Sequence, residues 1–196
     1  MNWRDEVRPD TITSAITDAI IAGPAEVQIP LQDSPARAQT LFLGGGDEDA
    51  VVTLVEGSEL SLGDGLEFFS GGVLQGDGVL ALQGNPLVVA AGAELRVAGG
   101  ERLVIQSGAV SNRGSIEISG RAPLLAEMAF GAEVINEAGT GLISGTQAVL
   151  RFPQGLRNHG AMEFGGGFNE VRGEVSNESG GRILLSGGAT VVFYDD

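Results

Sequence analysis

Four asparagines stand at the same place in a recurring phrase: Val110-Ser111-Asn112-Arg113-Gly114, Val134-Ile135-Asn136-Glu137-Ala138-Gly139, Leu156-Arg157-Asn158-His159-Gly160 and Val175-Ser176-Asn177-Glu178-Ser179-Gly180. The intervals between them are 24, 22 and 19 residues. A side-chain amide carries two donor hydrogens and a carbonyl acceptor. A row of amides could therefore read polar groups on a ligand, or could hydrogen-bond to one another as a stacked ladder. Asn followed two or three residues later by Gly is ordinary turn chemistry, because both tolerate positive φ. That explains the phrase without a ligand, so Asn112, Asn136, Asn158 and Asn177 are expected to be structural amides in an internal or turn ladder.

Other residues could carry chemistry but lack the pattern it needs. Glu117 and Glu163 each follow an Asn phrase, and stacked strands could bring them to one face. Paired-carboxylate hydrolysis needs a separation of about 5–10 Å, yet nothing marks this pair above the other acids. A lyase usually places a basic residue beside bound Ca²⁺, and all 11 basic residues here are Arg. The acids Asp47-Glu48-Asp49, the Gly-Asp-Gly turns at Asp64 and Asp77, and Asp195-Asp196 could offer oxygen ligands to Ca²⁺. The run Gly71-Gly72-Val73-Leu74-Gln75-Gly76-Asp77 does not fit the tandem Ca²⁺-binding nonapeptide, so these are expected to be solvated turn acids. His159, the single His, has no neighbouring Ser or Cys with which to build a triad and is expected to face solvent. Trp3, the single Trp, reads as a cap plug, and Asn177-Glu178-Ser179 matches a glycosylation sequon. No catalytic, cofactor-binding or metal site is assigned; no cofactor is expected, and the chain reads as non-enzymatic.

Composition narrows the classes further. The 196 residues contain no Cys, which excludes a disulfide scaffold, an iron–sulfur protein, a thiol enzyme and a thiolate-ligated zinc site. A formal charge of −15 argues against nucleic acid as a partner, since phosphates require positive charge. Thirty-two Gly suggest low complexity, but a hydrophobic fraction of 42% is enough to fold. Only ten residues are aromatic, so the core should be thin and aliphatic. No apolar run approaches the roughly 20 residues of a membrane span, and Met1-Asn2-Trp3-Arg4-Asp5-Glu6-Val7 lacks the start of a secretory signal.

The elements that must position these residues are short strands. Ile116-x-Ile118 and Met162-x-Phe164 alternate with the period of a strand buried on one face. Val51–Val55, Leu60-Ser61-Leu62, Val79–Leu82, Leu95-Arg96-Val97 and Leu103-Val104-Ile105 continue the series, with Gly-rich turns between them. A unit of about 20 residues cannot make a core alone, but stacked on copies of itself it can. The pattern predicts an all-β, right-handed parallel β-helix (β-solenoid) of roughly seven coils over residues 38–196. Residues 1–37 are expected to form an N-terminal cap or first irregular coil. There, Thr11–Ile21 could be a short helix ended by Gly23-Pro24, or coil leading into a strand at Ala19–Ile21 followed by Glu26-Val27-Gln28-Ile29.

The run Leu156-Arg157-Asn158-His159-Gly160-Ala161-Met162-Glu163-Phe164, continuing through Val175-Ser176-Asn177 to Thr190-Val191-Val192-Phe193-Tyr194, resembles the Asn/Gly-rich repeats of large bacterial surface and exported proteins. Examples are autotransporter-type passenger regions and exported proteins bearing a C-terminal sorting signal. The resemblance implies a β-helix exposed outside the cell and carries no catalytic residues across. Such proteins normally have an export signal, and the last strand-like run ends abruptly at Asp196, so a piece of a longer protein is expected. The functional expectation is a structural or adhesive β-solenoid segment of a bacterial surface or secreted protein. The alternative is a carbohydrate-binding or carbohydrate-active lyase or hydrolase module on the same scaffold. Expected partners are host or cell-surface glycans or proteins and, end to end, further copies of itself, with no nucleic acid and no membrane insertion by this chain.

Overall fold

The structure is a computed structural model that describes residues 18–195. All regular structure there is β. The first coil comprises β1 (Ala19–Ile21), β2 (Ala25–Ile29) and the start of β3 (Ala36–Leu43). β3 turns a corner into the second coil, which β4 (Ala50–Phe68) completes before crossing into the third, finished by β5 (Gly72–Ala81). Later coils have three separate strands each. The fourth holds β6 (Leu87–Val89), β7 (Glu94–Ala98) and β8 (Arg102–Gln106), and the fifth β9 (Val110–Asn112), β10 (Ser115–Ser119) and β11 (Ala126–Phe130). The sixth holds β12 (Val134–Asn136), β13 (Leu142–Thr146) and β14 (Ala148–Arg151), and the seventh β15 (Leu156–Asn158), β16 (Ala161–Phe164) and β17 (Gly167–Arg172). β18 (Val175–Asn177), β19 (Arg182–Leu185) and β20 (Ala189–Tyr194) form the eighth.

Every pairing between coils is parallel, as in Ala50 opposite Gly72, Ser115 opposite Leu142 and Ala161 opposite Arg182. The fold is thus the expected parallel β-solenoid, with three faces per coil. Seven coils run from Leu41 onward, and residues 19–38 supply one more, with β1 and β2 stacked on β3 and β4. Trp3 and residues 11–17 of the helical alternative over Thr11–Ile21 lie outside the described residues, but its last turn is not helical: Ala19–Ile21 form the strand β1, as the other alternative had it.

One inward column shows why the strands form. Val52, Leu74, Leu95, Ile116, Ile143 and Met162 are in register through successive coils, each 0% exposed. Their odd-numbered or even-numbered neighbours point outward, the alternation a strand with one buried face requires. Burying such a side chain is worth about 1.5–3 kcal/mol, and a one-residue slip would turn the whole column to solvent. Aromatic filling is sparse, as the composition implied; Phe130 and Phe152 stack with ring centroids 5.5 Å apart.

Corners require glycine where coils approach closely. Gly76, inside β5 where it bends from the second face to the third, has φ +107°, and a Cβ there would run into the Leu54 carbonyl of the preceding coil. No L side chain fits such a position.

Candidate functional site

The four phrase asparagines share one column on the first face. Asn112 is in register with Asn136, Asn136 with Asn158, and Asn158 with Asn177. Asn112, Asn136 and Asn158 are fully buried. Asn112 Nδ2 donates to Asn136 Oδ1 (2.8 Å), Asn136 Nδ2 to Asn158 Oδ1 (2.7 Å) and Asn158 Nδ2 to Asn177 Oδ1 (2.7 Å). The second hydrogen of each amide reaches the carbonyl that opens the second-face strand of the next coil: Leu142 O at 2.9 Å, Ala161 O at 3.0 Å and Arg182 O at 3.3 Å. Asn177, exposed at the last coil, donates within its own coil to Gly181 O at 3.1 Å. Below coil five the column is apolar, with Val89 opposite Asn112. The amides therefore form an internal spine that ties each coil to the next, and their polar atoms point at protein rather than at solvent.

The glycines after the four Asn divide: Gly139 and Gly180, three residues on, have φ +87° and +90° as turn chemistry requires, whereas Gly114 and Gly160, two residues on, have a different reason. Gly114 and Gly160 are not in the positive-φ region. They are glycine because a Cβ would meet the backbone of the coil below: the Ala90 and Ala93 carbonyls at Gly114, and the Gly141 and Glu137 carbonyls at Gly160. A fifth buried amide, Asn169 in β17, escaped the sequence reading because no glycine follows it at that spacing. Its Oδ1 accepts from Ala148 N at 3.2 Å. The signal was its phase: Asn169 and Val171 alternate with Phe168, Glu170 and Arg172, which places the amide inward.

The remaining candidates are dispersed. Glu117 and Glu163 lie in one outward column with Ser144 between them, two strand spacings or about 9.6 Å apart along the backbone. Asp47, Glu48 and Asp49 lie in the loop between β3 and β4, Asp64 at the corner where β4 passes to the first face, and Asp77 at the corner within β5. These are three different corners, so the acids are not brought together; among the described residues no group of three or more acids or histidines could hold a metal ion. His159 is half-buried rather than fully solvent-facing, its backbone N–H bound to Asn136 O.

Charged groups on the outer faces pair between and within coils. Glu127 bridges Arg102 (2.8 Å) in the coil below and Arg151 (2.9 Å) in the coil above. Arg172 pairs with Glu170 at 2.7 Å and lies 4.6 Å from the centre of the Tyr194 ring. Arg96 pairs with Glu94 at 2.6 Å and reaches Glu117 at 3.8 Å. Burial alone would push the Glu127 carboxyl up, but hydrogen bonds from Arg151 and Arg102 together outweigh it and hold the carboxyl below its usual range. Glu117 goes the other way: a hydrogen bond shared with Glu94 raises it, with burial and the Glu94 charge adding to the effect against Arg96.

The two acids therefore link to stability with opposite sign. Glu127, lowered in the folded state, stabilises above the unfolded carboxylate value, and that contribution is lost as pH falls through its folded value. Glu117, raised, stabilises most below the unfolded value, and its contribution is lost as pH rises through its folded value. Glu127→Gln should then lower stability at pH 7 by about 1 kcal/mol and flatten the acid limb of the stability profile. Glu117→Gln should raise stability at pH 7 and leave it little changed at pH 3. Urea midpoints at both pH values check the pair.

Stacked parallel strands, three to a coil and wired by an internal amide column, define the chain as a parallel β-solenoid. No family model, curated protein or solved structure matches the chain. Among the described residues no helix is long and apolar enough to cross a membrane.

Proposed function

We propose that this chain is a non-enzymatic structural or adhesive rod belonging to a bacterial surface or secreted protein. The observation that carries the reading is the use made of its polar side chains. The spine amides and the outer ion pairs are engaged with neighbouring coils, as a stiff spacer requires. The eight coils of the described residues, at about 4.8 Å per strand spacing, span about 35–40 Å. Net negative charge keeps such a rod soluble and repels like neighbours. Glycans or proteins of a cell surface are its proposed partners.

Polystyrene beads coated with the protein test this against mammalian extracellular-matrix proteins and bacterial polysaccharides spread on glass. The reading expects coated beads to be retained under flow several-fold above albumin-coated beads, with no new reducing ends or unsaturated sugar released from the polysaccharides. Retention equal to albumin, or catalytic release of sugar, would overturn it.

A further inference from the structure

We infer that the open groove at the corner following the third-face strands of coils three, four and five is a binding site for an uncharged sugar unit of a glycan. The inference rests on the adhesive reading above and deepens it, naming where the rod holds its partner and by what chemistry.

The groove has a volume of about 350 Å³. Its walls are Gln83 and Gly84 after β5, Gln106 at the end of β8 with Ser107 beyond it, and Gly131 after β11. That volume falls at the lower end of the range for ligand sites. The lining is polar, and none of its residues carries a charge. Each polar side chain there keeps hydrogen-bonding capacity. Gln83 Nε2 donates to Ser61 Oγ in the coil below at 2.9 Å, while its Oε1 takes no donor from the described residues. The Gln106 amide is exposed and has no hydrogen-bond partner among the described residues. Ser107 Oγ gives its hydrogen to Gly108 O at 2.8 Å, which leaves its lone pairs to accept. Amide donors thus stand beside carbonyl and hydroxyl acceptors on two adjacent coils, about 4.8 Å apart. A ring bearing neighbouring hydroxyls, each donor and acceptor at once, matches that set. An ionic ligand finds no countercharge in it.

The backbone at Gln83 points the same way. Leu82–Asn85 is a tight turn closed by Asn85 N to Leu82 O at 2.9 Å. Both of its central residues have positive φ, Gln83 at +52° and Gly84 at +84°. Such a turn prefers Asn, Asp or Gly at its first central position, and Gln is strained there. Strain of this kind clusters where a chain binds something, and here it holds the Gln83 amide at the groove wall. Charge narrows the ligand further. A formal charge of −15 repels polyanions, so acidic glycans are disfavoured against uncharged ones.

NMR titration of the isotope-labelled chain with lactose, maltose, chitobiose and the acidic sugar digalacturonate tests the site. At least one uncharged disaccharide should shift the Gln83 and Gln106 side-chain amides saturably, together with the Ser107 and Gly131 backbone amides. Digalacturonate should bind more weakly. Gln106→Ala removes one ligand hydrogen bond and should weaken binding at least threefold. Gln154→Ala, which removes an exposed amide at the same corner of coil six, should leave binding unchanged. Gln83→Gly separates a site from a scaffold. Glycine takes φ +52° without strain, so this variant should melt near the parent's temperature yet bind at least threefold more weakly.

A melt well below the parent with binding intact would return Gln83 to the scaffold and overturn the site. So would no shift with any of the sugars, shifts confined to other corners, digalacturonate bound as tightly, or binding untouched by Gln106→Ala. The bead assay is independent: a chain that holds surfaces but moves neither Gln amide with these sugars removes the groove and leaves the rod. Beads retained no better than albumin, with both amides still shifting, would do the reverse.

Discussion

Asn136→Ala should lower the unfolding free energy by about 3–5 kcal/mol, and Asn177→Ala by less than about 1 kcal/mol. Both changes remove the same atoms; their surroundings differ. At Asn136 the loss takes the Asn136 Nδ2 donor from Asn158 Oδ1 and from Ala161 O, and takes the acceptor from Asn112 Nδ2. All of this lies inside the stack, where each unmet polar group costs about 1–3 kcal/mol. Asn177 is exposed, so water replaces what is lost. Asn136→Asp sharpens the test by adding pH. Burial would raise the new carboxyl above its unfolded value of about 4. Its stability is then greatest below that value and falls as pH rises through the folded one. Chemical denaturation at pH 4 and pH 7 should find this variant much further below the parent at pH 7. An equal deficit at the two pH values would count against a buried spine.

The second large effect belongs to a corner. Gly76→Ala is expected to cost about 3–5 kcal/mol, and Gly84→Ala about 1 kcal/mol. Gly84 also has positive φ, +84°, but a Cβ there meets nothing within 4 Å. It reports the backbone penalty alone. Gly76 adds a collision with the Leu54 carbonyl, a backbone atom held by the second coil, which can yield only if the two coils separate. Thermal melts of both variants check the difference. Equal costs would mean that coils two and three are not packed as described.

Why was so much of the architecture readable from residue order? In a solenoid each coil repeats one local rule. Alternation such as Ile116-x-Ile118 marks a strand whatever its neighbours do, and recurrence of Asn at 19–24 residues marks the coil length. The Asn spine was legible because the same residue falls at the same phase four times. Asn169 was not, because its partners, Ala148 N and Gly165 O, come from the corners of two successive coils, and the coils below carry Ala148 and Ala126, not Asn, at its phase. The ion pairs were hidden for a different reason. Glu127 finds Arg102 and Arg151 at 25 and 24 residues' distance, intervals that depend on the exact length of each corner loop. Glu117 and Glu163 show the same limit: equivalent places in two phrases proved to be two coils apart, because a coil without an acid at that place, carrying Ser144, lies between. The reason for Gly114 and Gly160 needed three dimensions as well, since crowding by the adjacent coil leaves no trace in a single strand's sequence.

Hydrogen exchange of the Asn side-chain amides, followed by NMR, bears most directly on the internal spine. Asn112, Asn136 and Asn158 should exchange at least a hundredfold more slowly than Asn177, whose amide is at the exposed end of the ladder. Solvent-rate exchange at all four would contradict a buried column and return these residues to the surface as candidates for reading a ligand.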